Sequence, residues 1–155
     1  MLIDSSKQDA FRDVLIREII AADAAAAAEL SGELGYPVAP DVMKQRIEFL
    51  SGLADHVIYV ACLSEKVVGW IDIGVSHHLH AEPRAEIGGL VVSSEARGRG
   101  IGRLLVAHVE EWARQHGLTS MLVRSQIKRE DAHRFYLREG YVRTKTSVVF
   151  TKELG

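Results

Sequence analysis

Residues 91–102, VVSSEARGRGIG, join two hydrophobic patterns of different period. The run AEIGGLVV, which overlaps their start, is short and β-branched, as is typical of a strand, and it ends at Val92. The residues after the loop place apolar side chains on one helical face, at Ile101, Leu104, Leu105, Val109 and Trp112. A strand, a glycine-rich loop and a helix therefore follow one another directly.

The loop between this strand and this helix has the chemistry of an anion site. Gly98, Gly100 and Gly102 have no Cβ, so their backbone N–H groups can approach a ligand closely. The first N–H groups of a helix lack partners within the helix and lie at the positive end of its dipole. Arginines at positions 97, 99 and 103 add charge-assisted donors. The segment predicts a pyrophosphate site; the alternative is a glycine-rich turn with solvated arginines.

Two common phosphate-binding loops fit this pattern poorly. A P-loop needs Lys and then Ser or Thr after its last glycine, whereas Ile101 and Arg103 stand in this region. A dinucleotide fold needs its glycines after the first strand, with an acidic residue about 20 residues further on. Here the loop follows the fourth predicted strand, and the next strand ends at Arg124 and Ser125.

A third family fits. The run Arg97–Gly102 resembles R/Q-x-x-G-x-G/A, the acetyl-CoA signature of the GNAT N-acyltransferase superfamily. The run AHRFYLREGY, residues 132–141, resembles the second motif of that superfamily, A-x-x-F-Y-x-x-x-G-F/Y. One helix and one strand separate the two motifs, as in the family, and the resemblance extends from about Val14 to Leu154.

The pattern of elements predicts an α/β fold in the order β-α-α-β-β-β-α-β-α-β. The predicted first strand is Val14–Ile20, the fifth is residues 119–125, and residues 141–154 form a last strand or bent pair of strands. The resemblance implies a GNAT fold: a mixed, mostly antiparallel sheet with helices on both faces, splayed between strands 4 and 5. We expect a leader at residues 1–13 and a single domain at 14–155.

Composition excludes several classes of function. The chain has 155 residues, 47% of them hydrophobic, and a net charge of −2, which is typical of a globular protein without bulk affinity for nucleic acid or membrane. The single cysteine, Cys62, cannot form an internal disulfide, which favours a cytoplasmic location. Adjacent strand residues point to opposite faces, so His77 and His78, with His80, predict a solvated or substrate-lining segment rather than a metal site.

The resemblance implies acetyl-CoA as the cosubstrate. Its pantetheine arm would pair with exposed backbone at the end of the fourth strand, at Leu90, Val91 and Val92. Its pyrophosphate would bind the amides of Arg97, Gly98, Arg99, Gly100, Ile101, Gly102 and Arg103. Arg99 would reach the 3′-phosphate or the adenine edge, and Ala132, Phe135 and Tyr136 belong to the second motif.

One position departs from the family pattern. Many members carry Asn three residues before the alanine of the second motif, where it binds the pantetheine, but this chain has Arg129. Arg129 either reaches a CoA phosphate or is solvated. Ser125 and Gln126 are the candidates to replace the missing contact.

The resemblance also implies catalytic roles. Tyr136 would be the general acid for the departing thiolate; the alternative is a packing aromatic of an amphipathic helix. Glu86 would be the base that deprotonates the amine, directly or through water; the alternatives are a carboxylate that only positions the amine, or an exposed charge. Tyr36, between the first two helices, would form part of the acceptor site, or pack a turn.

Together these residues predict an N-acetyltransferase that moves acetyl from acetyl-CoA to a primary amine. Direct attack in a ternary complex is expected, because Cys62 lies in the wrong strand to carry an acyl group. The second motif and the histidine-rich segment are similar to those of aminoalkylphosphonate N-acetyltransferases, and no separate recognition domain is evident, which favours a small-molecule acceptor. Aminoglycosides, protein N-termini or lysines, and a non-catalytic acyl-CoA sensor remain alternatives. Family members are often dimers, so a homodimer is the candidate assembly.

Overall fold

The computed structural model describes residues 13–155, which form two compact units that meet in sequence between Val123 and Arg124. The predicted leader therefore lies outside the described residues except for Asp13. The prediction of a single domain over 14–155 stays a prediction. Each unit is described by itself below.

The first unit is a five-stranded sheet in the order β1-β2-β3-β4-β5. The first three pairings are antiparallel and the last, between β4 and β5, is parallel. The mixed, mostly antiparallel sheet expected from the sequence is confirmed. The strands are β1 (Val14–Glu18), β2 (His56–Leu63), β3 (Lys66–His78), β4 (Ala81–Val92) and β5 (Met121–Val123).

A β-bulge interrupts β4 opposite Asp72 and Ile73. Asp72 of β3 faces Gly89, and the next residue, Ile73, faces Ile87, so Gly88 is the extra residue. A bulge bends its strand and increases the local twist. The pairing of β4 with β5 ends at Ile87 opposite Val123, so β4 runs on through Val92 beyond the end of β5. The two strands pair over three residues, and their splay beyond Ile87 stays a prediction.

Helices cover both faces of the sheet. Trp70 of β3 points to the face with the first two helices, where its Nε1–H donates to the carbonyl of Ala27 at 3.2 Å. The next residue along the strand, Gly69, faces the opposite side, where a Cβ would lie 3.4 Å from Leu105. The helices are α1 (Ala24–Leu34), α2 (Pro40–Ser51) and α3 (Ile101–Gln115). Buried apolar side chains fill both interfaces: Ile47 of α2 lies in one cluster with Ile58 and Val60 of β2, and Leu105 and Val109 of α3 are buried on the other face.

Two strand boundaries differ from the prediction. β1 ends at Glu18 rather than Ile20, because the Ile20 N–H donates to the Asp23 carboxylate at 2.8 Å and begins a short 3₁₀ turn instead of a ladder. Asp23 also accepts two hydrogen bonds from Arg17, each 2.8 Å long. β5 has three residues rather than the predicted seven, because only Met121–Val123 pair with β4.

The second unit holds α4 (Glu130–Arg138) and the residues that follow it. The helix ends where Gly140 adopts a φ of +90°. The predicted strand over 141–154 is wrong: these residues form neither helix nor strand. A β-branched composition favours an extended backbone, but a strand also needs a hydrogen-bonding partner. Apolar side chains in this segment are exposed, including Val148, Val149 and Phe150.

Candidate functional site

The glycine loop before α3 has the backbone geometry of an anion site. Gly98 and Gly100 have φ of +80° and +76°, in the left-handed region where a side chain is strained. A Cβ at Gly98 would meet nothing within 4 Å, so the loop surface is open there. The conformation of the loop thus depends on glycine for backbone reasons rather than for packing.

The N-terminus of α3 leaves its first amides directed at this loop. Gly100 is the N-cap residue and has no side chain to cap the helix. The Leu104 N–H donates to the Gly100 carbonyl at 3.1 Å and starts the helical series, so the N–H groups of residues 101–103 precede it. Arg97 holds the start of the loop, where its Nε–H donates to the Val92 carbonyl at 3.3 Å. Arg99 is exposed. These groups can bind a pyrophosphate.

The end of β4 adjoins the loop. Leu90, Val91 and Val92 pair with β3 on one side, while β5 ends opposite Ile87. A strand that continues past its neighbour presents backbone N–H and C=O groups along that edge. The structure therefore brings the predicted pantetheine segment and the predicted pyrophosphate loop together in sequence and in space.

A cavity of about 340 Å³, here called the larger cavity, lies between the sheet and α1 and α2. Its lining is mostly apolar, and Trp70 packs there against Gly89, where a Cβ would lie 2.9 Å from the indole. Tyr36, predicted as an acceptor-site residue, lines it and is 59% exposed. Among the described residues that line it, the charged side chains are Arg46 and Asp72.

A second cavity of about 240 Å³, the smaller cavity, shares Asp72 and Gly88 with the larger one. Glu86, the predicted base, lines it together with His56. Glu86 faces Gly74 across the β3–β4 ladder, and Gly74 faces His56 across β2–β3. Three strands thus bring two carboxylates and an imidazole to one wall.

His56 and Asp72 form a hydrogen-bonded pair between Nε2 and Oδ1. This hydrogen bond raises the pKa of His56 above its ordinary value; burial opposes the rise, and the charges of Asp72 and Asp55 add to it. His56 therefore carries more positive charge near neutral pH than a solvated histidine does. The side chains are 19% and 28% exposed, so the pair is partly desolvated but open to the cavity.

Tyr136 lies in α4 of the second unit, half-buried. Its ring makes edge contacts with Phe135 and Tyr141, with centroid distances of 5.1 and 5.5 Å. Burial raises the pKa of Tyr136 to about 12, and the positive charge of Arg129 acts in the opposite direction. The hydroxyl is thus a donor over the whole physiological pH range.

The turn before α4 contains the other second-motif candidates. Arg129 is the N-cap residue of α4, and its N–H donates to the Gln126 carbonyl at 3.0 Å. His133 Nε2 donates to the same carbonyl at 2.9 Å, which gives this histidine a structural role in the turn. The Ser125 Oγ is buried and has no hydrogen-bond partner among the described residues. Ser125 is therefore the residue here that fits a ligand contact, and Ala132 is half-buried in the helix that follows.

The histidine-rich end of β3 makes local contacts. His77 Nε2 lies 3.6 Å from the Asp55 carboxylate, and the rings of His78 and His80 are 5.4 Å apart. Within residues 13–155, no group of three or more His, Cys, Asp or Glu side chains is arranged to hold a metal ion. Cys62 is buried with a free thiol.

Three residues of the cavity wall were not predicted from the sequence: His56, Asp72 and Arg46. Asp72 carried a signal, because a lone carboxylate within the apolar run WIDIGV requires a partner. Gly88 and Gly89 carried another, since adjacent glycines inside a strand indicate a bulge or a close approach. No local signal marked His56 or Arg46. In the part of the chain that the structure describes, no helix has the length and apolarity needed to cross a membrane.

Comparison with known proteins identifies one family. A model of the acetyltransferase (GNAT) family matches residues 24–141. An aminoalkylphosphonate N-acetyltransferase from Salmonella typhimurium is 42% identical over 117 residues, which cover 74% of this chain and 75% of that protein. An aminoglycoside N(6′)-acetyltransferase type 1 from Stenotrophomonas maltophilia is 28% identical over 144 residues, or 90% and 93% of the two chains.

The fold resembles that of a solved aminoglycoside N-acetyltransferase. The crystal structure of an aminoglycoside N-acetyltransferase in complex with CoA superposes with a TM-score of 0.81 over 91% of this chain and 95% of that one. The two sequences are 16% identical in this comparison, so the likeness concerns the fold.

Proposed function

The chain belongs to the GNAT acetyltransferase family and is an acetyl-CoA-dependent N-acetyltransferase, and we propose that its acceptor is a small primary amine that also carries an anionic group. The observation that carries this proposal is the larger cavity. Its volume of about 340 Å³ lies at the low end of the range of roughly 300–1,000 Å³ for small-molecule sites. The charged residues of its lining are one cation, Arg46, and one carboxylate, Asp72.

The charges favour an anionic amine over a polycation. An aminoglycoside carries several ammonium groups and needs several carboxylates around it, whereas an arginine in the wall would repel it. The guanidinium of Arg46 instead suits a phosphonate or carboxylate, which it can bind through two parallel hydrogen bonds. The 42% identity to an aminoalkylphosphonate N-acetyltransferase supports the same class of acceptor.

Glu86 is proposed as the base for the acceptor. An alkylammonium group has a pKa of about 10 and must lose a proton before its nitrogen attacks the thioester. Glu86 lines the smaller cavity, which adjoins the larger one through Asp72 and Gly88. This position supports proton removal, directly or through one water.

In the first unit, the cofactor site is proposed at the end of β4 and in the loop; in the second unit, residues of the second motif are proposed to contact CoA. Acetyl-CoA supplies an activated thioester. The open backbone edge at residues 90–92 would pair with the pantetheine arm, and the amides from Arg97 to Arg103 would bind the pyrophosphate. The buried Ser125 Oγ, which has no hydrogen-bond partner within residues 13–155, supports a contact to the pantetheine in place of the usual asparagine. Arg99 and Arg129 are assigned to CoA phosphates.

Tyr136 is proposed to stabilise the departing thiolate by a hydrogen bond. A thiol has a pKa of about 8.5, whereas the pKa of Tyr136 is raised to about 12, so complete proton transfer from the phenol to the thiolate is unfavourable. A neutral hydroxyl can still donate a strong hydrogen bond to the developing anion. The raised pKa thus supports donation rather than full ionisation.

The assembly and the location of the protein are also proposed. The exposed apolar side chains between Val142 and Leu154 support a homodimer, which light scattering after size-exclusion chromatography would test. The buried free thiol of Cys62 supports the cytoplasm, which cell fractionation would test.

The acceptor class can be tested by measuring free-thiol release from acetyl-CoA with amines of matched length. We expect the highest kcat/KM with an aminoalkylphosphonate, a lower value with the neutral alkylamine, and the lowest with a diamine or an aminoglycoside. Arg46→Gln should raise the KM of the phosphonate about 10- to 100-fold, the usual cost of losing a hydrogen bond to a charged group. The KM of acetyl-CoA should stay unchanged.

Lys44→Gln is the matched control, because Lys44 is an exposed cation of α2 that does not line the cavity. A preference for the diamine or the aminoglycoside in the unmodified protein would contradict the anionic acceptor. Equal effects of Arg46→Gln and Lys44→Gln would show that only the general charge of α2 matters.

A further inference from the structure

A histidine–carboxylate pair stands on the sheet face that α1 and α2 cover. Trp70, Asp72 and Gly74 alternate along β3 and point to that face, as the hydrogen bond from Trp70 to α1 shows. His56 opens β2 and reaches Asp72 through its Nε2. Asp72 lines both cavities, whereas His56 lines the smaller one.

Two glycines on neighbouring strands make the space for this pair. A Cβ at Gly74 would lie 2.7 Å from His56 Nδ1, a distance that real Cβ atoms do not show. A Cβ at Gly88, the bulge residue, would lie 3.1 Å from Asp72 Oδ2. The first carboxylate oxygen is thus held by His56, and the second lies beside Gly88, where the two cavities adjoin.

Stability alone does not account for the pair. The strand neighbours Ile71 and Ile73 point to the opposite face and are fully buried, whereas the Asp72 side chain is 28% exposed and lines both cavities. Replacing a desolvated ion pair by apolar residues is often neutral or stabilising. A partly desolvated carboxylate on a cavity wall is instead suited to bind a cation.

We propose that Asp72 receives the ammonium group of the acceptor through Oδ2 and that His56 is the positioning residue that holds Asp72 in place. This inference rests on the proposed function, because it assigns the amine end of the same acceptor whose anionic end is assigned to Arg46. It separates two roles on one wall: Asp72 binds the ammonium, and Glu86 removes its proton.

The charge balance of the wall agrees with this assignment. The charged groups that face His56 are Asp72 on β3, Glu86 on β4 and Asp55, and Asp55 in turn lies 3.6 Å from His77. Asp72 and Glu86 both line the smaller cavity, and His56 is hydrogen-bonded to Asp72 Oδ1. The wall therefore has one carboxylate for the ammonium contact and a second for proton removal.

The test compares, for each variant, the KM of the amine with the binding of acetyl-CoA. Asp72→Asn should raise the KM of the aminoalkylphosphonate about 10- to 100-fold, as expected for a lost hydrogen bond to a charged group. The thermal stabilisation by acetyl-CoA should remain. His56→Ala should raise the same KM by a smaller factor, and added imidazole should restore it, since the ring fits the space that the substitution leaves. Restoration by imidazole but not by benzene, which fills the same space without a hydrogen bond, separates this role from packing.

Gly74→Ala disturbs the contact between His56 and Asp72 without removing either side chain. Its Cβ displaces the His56 ring, so the KM of the amine should rise while the KM of acetyl-CoA does not. Gly32→Ala is the control, because a Cβ there meets nothing within 4 Å. An unchanged KM of the amine in folded Asp72→Asn or in Gly74→Ala, with an active unmodified enzyme, would overturn this inference and leave the proposed function intact. Absence of amine-dependent thiol release in the unmodified protein would overturn both.

Discussion

The loop from Arg97 to Arg103 and the wall of the two cavities are built differently. The loop presents consecutive backbone amides to a ligand, whereas the cavity wall presents side chains from α2, β2, β3 and β4. The loop depends on glycine conformations that no other residue adopts easily. The cavity wall depends on individual groups, each of which can be exchanged while the others remain. Substitutions in the loop should therefore abolish the binding of acetyl-CoA. Single substitutions in the cavity wall should each change the turnover rate or the preference for the amine by a limited factor.

The largest effect is expected from Gly100→Val in the loop. Acetyl-CoA binds the folded state, so a concentration about 100-fold above its Kd should add about 2.7 kcal/mol to the stability of the unmodified protein. A β-branched side chain at a φ of +76° distorts the N-cap of α3 and blocks the approach of a pyrophosphate. The melting temperature of this variant should not respond to acetyl-CoA.

Gly117→Val is the matched control for that variant. Gly117 has a φ of +72° at the other end of α3, and a Cβ there meets nothing within 4 Å. It should lose a similar amount of intrinsic stability and keep the full response to acetyl-CoA. A retained response in Gly100→Val would refute the loop assignment.

Glu86→Gln tests the base on the wall. General-base catalysis contributes about 10²- to 10⁴-fold, and the loss should be greatest at neutral and low pH, where the amine is protonated. Raising the pH should partly restore turnover as more free amine becomes available. Glu82→Gln, an exposed position of the same strand, is the control. An equal loss at every pH would assign Glu86 to positioning instead.

Tyr136→Phe removes one hydroxyl and keeps the ring contacts. If the hydroxyl donates to the developing thiolate, kcat should fall about 10- to 100-fold, the effect of one hydrogen bond to a charged group, with little change in acetyl-CoA binding. Because burial raises the pKa of Tyr136 to about 12, ionisation of this hydroxyl should not limit activity below about pH 11. Tyr141→Phe removes the hydroxyl of the adjacent ring and serves as the control. Unchanged turnover would leave Tyr136 as a packing residue.

The smallest effect is expected in stability, from His56→Gln. The folded-state pKa of His56 lies above its unfolded value of about 6.5. The pair therefore stabilises the fold fully below that pH, and the contribution is lost as the pH rises through the folded-state pKa. The difference in unfolding free energy between the two proteins should be about 1 kcal/mol or less near pH 6 and should shrink toward pH 9. A difference that grows with pH would contradict the direction of the shift.

The loop was easier to predict from the sequence than the cavity wall, because the loop is one continuous segment and the wall combines residues from several strands. The loop and its flanking strand and helix are contiguous, so their order could be predicted from residues 85–112 alone. The wall brings together His56, Asp72 and Glu86 through strand register, and a bulge at Gly88 shifts that register by one residue. Only Glu86 was predicted, through a family resemblance, because spacing along the chain does not encode a register.

The last residues illustrate the same limit. The β-branched run near Val148 predicted a strand, yet a strand is a property of two segments and not of one. The short β5 follows the same rule, since only the three residues that pair with β4 form a strand although the predicted segment has seven. Helices α3 and α4 were predicted well because their hydrogen bonds are local.

The central claim is that the loop and the wall hold their two substrates at the same time, so that the amine attacks the thioester directly. Initial rates of thiol release, measured over a grid of acetyl-CoA and aminoalkylphosphonate concentrations, test it most directly. Double-reciprocal plots should give lines that intersect, and each thiol released should match one N-acetylated amine by mass spectrometry. Parallel lines, which indicate an acyl-enzyme, or thiol release without the amine would contradict the claim.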